Sequence, residues 1–171
     1  MATEVVSKTK TVSVTKALAA AGNYTAEDVL SESATIGTAW TFSAIARQNG
    51  ASGRITKAQA ICETTALPPR LTLFVFTATP TSALNLNVAN TALLHADLAN
   101  YVGKIDFLGL EDLGGDSEAV ATASTTGNLP LDFTCAATAD DLYGILVTRD
   151  AITGEVAGDD MVIRLTAEQY L

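Results

Sequence analysis

Histidine occurs once in this sequence, at His95, and cysteine twice, at Cys62 and Cys135. One histidine and two distant thiols cannot assemble a zinc tetrad from this chain alone. Any Ser-His-Asp chemistry would have to use that same histidine, and Asp97, two residues on, cannot orient it as a triad acid does. Aromatic residues make up 6% of the chain, too few to furnish the platforms that sugar-binding clefts commonly offer. Charged residues are 17%, thin for a freely solvated exterior and suggestive of a surface partly covered by a partner. No apolar run approaches the ~18 residues that span a bilayer. The start, Met1-Ala2-Thr3-Glu4, has neither the basic nor the apolar region of a secretory leader. Neither membrane insertion nor secretion by a standard signal is expected.

What is present is apolar and small. Hydrophobic residues are 48% of the 171, enough for one domain with a core, and Ala and Thr dominate, as suits half-buried pleated strands. Ten cations against nineteen acids leave a net charge of −9. That balance argues against a nucleic-acid partner, because phosphate backbones are held by Lys and Arg. The charge is also uneven. Lys8, Lys10 and Lys16 are opposed near the N-terminus only by Glu4, whereas eleven acids between Glu111 and Asp160 face Arg149 alone. Such polarity suits an oriented contact with a charged partner; it also suits a merely solvated acidic face.

Alternation of polar and apolar residues marks the strands. Lys10–Val14 carries Val12 and Val14 on one face, and Trp40, Phe42 and Ala44 alternate with Thr41, Ser43 and Ile45. Arg54–Thr64 alternates around Ile55, Ala58, Ala60 and Cys62, which places Cys62, like Cys135, as a buried free thiol rather than half of a disulfide. Gly22-Asn23 and Asn49-Gly50 signal turns, and Leu67-Pro68-Pro69 breaks the chain before Leu71–Thr77. That stretch is apolar on both faces, as a central sandwich strand should be. Tyr24–Leu30 reads as an extended segment or a short helical turn, Ala83–Asn90 is ambiguous, and Leu93–Asn100 allows one or two helical turns. Val102–Leu108 is a strand with Gly103 marking a bend or bulge. Leu129–Cys135, Leu142–Thr148 and Met161–Thr166 complete eight or nine strands. The expected fold is all-β, a single jelly-roll-like β-sandwich, with residues 1–18 as an N-terminal arm or first strand and 19–171 as the sandwich.

No catalytic motif is complete in this sequence. Gly115-Asp116-Ser117 has the beginning of the Gly-Asp-Ser-Gly-Gly nucleophile motif, but Glu118 and Ala119 stand where the glycines belong, with a carboxylate where an oxyanion would be received. There is no Gly-x-Ser-x-Gly elbow and no Gly-rich phosphate loop. Glu111, Asp112, Asp116 and Glu118 supply hard oxygen ligands that suit Ca²⁺, without EF-hand spacing. The expectation is no catalytic, cofactor or metal residue, and no enzyme.

Four segments together carry a resemblance: Gly22–Leu30 (GNYTAEDVL), Asn49–Ile55 (NGASGRI), Pro69–Phe76 (PRLTLFVF) and Leu142–Arg149 (LYGILVTR). In this order they resemble small virion structural proteins of tailed bacteriophages, of the capsid decoration (cement) type. The resemblance implies a jelly-roll-like sandwich on the capsid exterior, made in the host cytoplasm, with the major capsid protein and further copies of itself, as a homotrimer, for partners. It implies neither nucleic-acid nor membrane binding. The charge pattern adds Lys8, Lys10 and Lys16 as contact residues to the capsid or a neighbouring subunit. The alternative is a carbohydrate- or receptor-binding sandwich of a phage tail or fibre.

Overall fold

The computed structural model describes residues 8–18, 23–64, 69–123, 128–154, 156 and 158–170. Gly22 of the first turn signal, Leu67 and Pro68 of the chain break, and residues 1–7 of the N-terminal segment lie outside these. The described residues form two antiparallel sheets packed as a sandwich.

The first sheet runs in the order β1 (Lys8–Ala17), β11 (Asp160–Gln169), β4 (Ser52–Cys62), β8 (Ser117–Thr122), β7 (Glu111–Asp112), with β9 (Leu131–Thr134) also pairing β4. The second runs β2 (Val29–Leu30), β10 (Leu142–Thr148), β5 (Leu71–Phe76), β6 (Tyr101–Phe107), with β3 (Trp40–Phe42) pairing β10. Among the described residues eleven strands therefore stand against the expected eight or nine; the additions include pieces of two or three residues, too short to show a period. Tyr24–Leu30 is neither wholly extended nor helical: Tyr24 bridges to Ile152, Ala26-Glu27 turns with Glu27 at φ +72°, and Asp28 bridges to Ala89 before β2.

Alternation explains what faces inward. Ile163, Leu165 and Ala167 of β11 and Ala58, Ala60 and Cys62 of β4 meet Leu71, Leu73 and Val75 of β5 in one core. Ile55 and Ala58 are three apart, yet both are buried. A register slip opposite Thr166 and Ala167 leaves Thr56 as the extra residue of a bulge, which resets the alternation. A second slip pairs Phe76 with Tyr101 and Val75 with Gly103, the bulge expected near Gly103. At Gly144, a Cβ would lie 2.7 Å from Leu73 Cδ1 and 3.3 Å from Phe42 Cε2, so glycine lets β3 and β5 close on β10.

β5 is buried throughout because both of its faces are covered. Its outward side chains, Phe74 and Phe76, join Val29, Ile145 and Val147 in a second apolar cluster, roofed by Ala83, Leu84, Ala92 and Leu93. The roof belongs to residues 77–100, the stretch with no strand period, which ends in a 3₁₀ helix (His95–Asn100). Asp97 holds it shut: its carboxylate accepts from the N–H and hydroxyl of both Thr81 and Ser82 at 2.7–3.0 Å. Burial opposes the charge, but these hydrogen bonds outweigh it and hold the carboxyl below its ordinary range.

Candidate functional site

The groups that would carry chemistry are occupied or apart. Ser117 is fully buried and donates to the Thr64 carbonyl at 3.2 Å, so it is no nucleophile. His95 opens the 3₁₀ helix at the surface, on the far sheet from Ser117. Both cysteines are buried and outside any disulfide, as expected, and burial first, then Asp140 and Asp141, push the Cys135 thiol up to about 11. Glu111, Asp112, Asp116 and Glu118 do lie on one hairpin, β7–β8, closed by Leu113 N–H donating to the Asp116 carbonyl. Glu118, however, accepts from Gln59 Nε2 at 2.6 Å, and Asp112 accepts from Gly114 N–H. Among the described residues, no three metal-ligating side chains converge.

Nor is there an aromatic platform. All ten aromatic residues are buried or half-buried, and Trp40 donates its indole N–H to the Leu30 carbonyl inside the core. A 390 Å³ surface hollow between Arg70, Thr72, Lys104, Asp106 and Arg149 is polar, and its charges are already spent. Arg70 pairs with Asp150, Arg149 with Glu27, and Lys104 with Asp106. No helix among the described residues is long and apolar enough to cross a membrane.

Surfaces therefore carry the interest, and the two outer faces differ. The five-stranded sheet is roofed by residues 77–100. Among the described residues, nothing covers the outer face of the six-stranded sheet in this way. Its side chains stand in cross-strand rows: Glu118, Ile61, Val162, Thr15; then Val120, Gln59, Arg164, Ser13; then Thr122, Lys57, Thr166, Thr11; then Asp132, Arg54, Glu168, Thr9. Three cations match three carboxylates in these four rows, and the acids Glu111, opposite Glu118, and Asp160, opposite Ala17, stand at the margin of the face. Thr11 and Thr166 share a hydrogen bond, and Arg54 pairs with Asp132, which keeps the face short-chained and ordered.

The three N-terminal lysines share the inward-facing parity of β1 but not one environment. Lys16 is 8% exposed and paired with Glu32. Lys8 and Lys10 lie at the other end of the strand, where they line a cleft of about 370 Å³ with Ala44, Ala46, Arg47 and Asp140. Arg47 was not singled out by its sequence context. It reaches the lysines because Gln169 Nε2 ties β11 to the Ile45 carbonyl, and Ala46 N–H is held by the Asp140 carbonyl. The most exposed apolar side chains near the acidic hairpin, Leu108 at 57% and Leu113 at 61%, flank a shallow hollow with Val120 and Glu111.

No protein-family model matches the chain, and no curated protein does. Among solved structures there is weak similarity to viral capsid proteins. The particle of Israeli acute paralysis virus aligns at TM-score 0.30 and 14% identity, over 96% of this chain and 68% of the other. Sacbrood virus of honeybee gives 0.28 and 11% over 95% and 69%, and a marine algae virus of the order Picornavirales gives 0.25 and 10% over 95% and 68%. Similarity at this level assigns no role to the chain, which is established as an all-β, two-sheet sandwich.

Proposed function

We propose that this protein is a structural virion component that decorates a tailed-bacteriophage capsid from outside, by protein–protein contacts with the major capsid protein and with copies of itself. The observation that carries the reading is the asymmetry of the two faces. One sheet is sealed by the chain's own residues 77–100 over a second apolar cluster. The other, uncovered among the described residues, presents central rows in which three cations match three carboxylates amid mainly Thr, Ser, Gln and β-branched side chains.

Rows rich in Thr, Ser and β-branched side chains cost little conformational entropy to immobilise, and their matched charges limit the desolvation of unpaired groups. The rest of the acidic molecule stays solvated and repels non-specific association. Two sheets locked by a continuous core make a stiff plate, suited to bridging seams in a shell. The described residues bring no nucleophile, base and orienting acid together, which leaves adhesion as the function their chemistry supports.

Co-sedimentation with undecorated phage heads tests this. The wild-type protein should saturate the heads at a fixed number of copies. The double variant T15K/V120K, altered at exposed face positions that lie opposite Val162 and Gln59 rather than a cation, should lose at least tenfold in affinity while melting normally. Absence of binding by the folded wild-type protein would refute the reading.

A further inference from the structure

Two corners of the six-stranded sheet carry opposite charge. At one, Lys8 and Lys10 of β1 and Arg47 of the following layer line the 370 Å³ cleft. None of the three has an ion-pair partner among the described residues, whereas five of the other seven cations do. Asp140 also lines the cleft, and its carbonyl is committed to Ala46 N–H. At the other corner, the β7–β8 hairpin exposes Glu111, Asp112 and Asp116 around the apolar tip residue Leu113.

These corners are diagonal. β1 and β7 are the two ends of the strand order, four spacings or about 19 Å apart. Lys8 lies level with Gln169, while Ser117 beside the hairpin lies level with Cys62 and Met161. Eight residues of β11 separate the two levels, about 27 Å. The hairpin cannot reach the cleft of its own molecule.

We infer that the cleft of Lys8, Lys10 and Arg47 receives the acidic β7–β8 hairpin of a second copy of this chain. The cleft is large enough for a leucine side chain, and its walls at Ala44 and Ala46 are small. Leu113 enters between them, and Glu111, Asp112 and Asp116 face the three cations. An apolar centre with a charged rim is the usual anatomy of a specific contact. Because cleft and hairpin are different surfaces, the contact closes either as a reciprocal two-fold pair, each hairpin in the other's cleft, or head-to-tail as a ring or chain. The inference rests on the self-association part of the reading above and is independent of capsid docking.

The test is solution mass by light scattering or sedimentation, without capsids, over a salt series. The wild-type protein should exceed the protomer mass, with dissociation rising as salt screens the contact. The cleft reversal K8E/K10E/R47E and the hairpin reversal E111K/D116K, which keeps the Asp112–Gly114 turn bond, should each raise the dissociation constant at least tenfold, with unchanged melting. Mixing the two reversed proteins should restore a complex, because each then offers a cleft matched to the other's hairpin. A wild-type protein that stays at protomer mass at high micromolar concentration would overturn the inference, as would reversed variants that associate unchanged or fail to complement. Head occupancy of the same variants, measured separately, distinguishes failure of this contact from failure of capsid docking.

Discussion

Lys16 Nζ lies 2.5 Å from Glu32 Oε2 and 5.3 Å from the centre of the Trp40 ring. The ammonium also donates to the Thr38 carbonyl at 2.5 Å, so a cation that the sequence places beside Lys8 and Lys10 is enclosed between β1 and the segment leading to β3. Burial pulls the lysine below its ordinary value, against the pull of Glu32. Burial also works against the Glu32 carboxylate, but hydrogen bonds from Lys16, Ser31 and Thr38 outweigh it and hold the group at about 2. Replacing Lys16 by Met leaves Glu32 without its cation. We expect K16M to lose about 2–3 kcal/mol in urea melts, below the roughly 3–5 kcal/mol of a fully enclosed pair because Glu32 is partly open to water.

Acid should weaken the fold through the same group. Glu32 and Asp150, the latter held at about 2 chiefly by hydrogen bonds from Arg70, bind protons less readily folded than unfolded. Their contribution is complete above the ordinary carboxylate range and is lost as pH falls towards 2. Melting temperature should therefore drop between about pH 4.5 and pH 2, and E32Q should flatten that drop. A melting temperature for E32Q that falls as steeply as wild type would exclude Glu32 as the source.

Phe74 anchors the roof cluster from the outward face of β5, where it is 8% exposed. F74A should cost roughly 3–5 kcal/mol in denaturant melts. A loss below about 1 kcal/mol would mean that the roof collapses without penalty, or that the site is not closed.

Asp97 should govern the roof rather than the whole sandwich. D97A leaves the Thr81 and Ser82 donors unmatched, two of them buried, at a cost of about 2–4 kcal/mol. Amide exchange should accelerate over residues 81–100 well before it does in β4 or β11; uniform acceleration along the chain would contradict the local role.

Gly144→Ala should overpack the β3–β10–β5 junction, where the new methyl would meet Leu73 Cδ1 at 2.7 Å. The expected loss is about 1–3 kcal/mol.

The sandwich was legible because its strands bury one side of an alternating pattern. β5 announced its central place by being apolar on both faces, and the odd spacing from Ile55 to Ala58 encoded a bulge that becomes evident only with the register. The roof was not legible. Residues 77–100 are fixed by carboxylate-to-hydroxyl and carboxylate-to-amide bonds between Asp97 and positions fifteen or sixteen earlier, which leave no period. The charge asymmetry of the chain was visible in outline. Its geometry was not, since parity along β1 turns Lys16 into the core, and the Arg47 that completes the cleft arrives through the tertiary bond from Gln169 to Ile45.

Electron cryomicroscopy of undecorated phage heads incubated with the purified protein is the most direct measurement. We expect added density on the outer surface, with the face bearing Ser13, Gln59 and Thr166 against the shell and the roof of residues 77–100 turned to solvent. Heads without added density, or density docked through the roof, would contradict it.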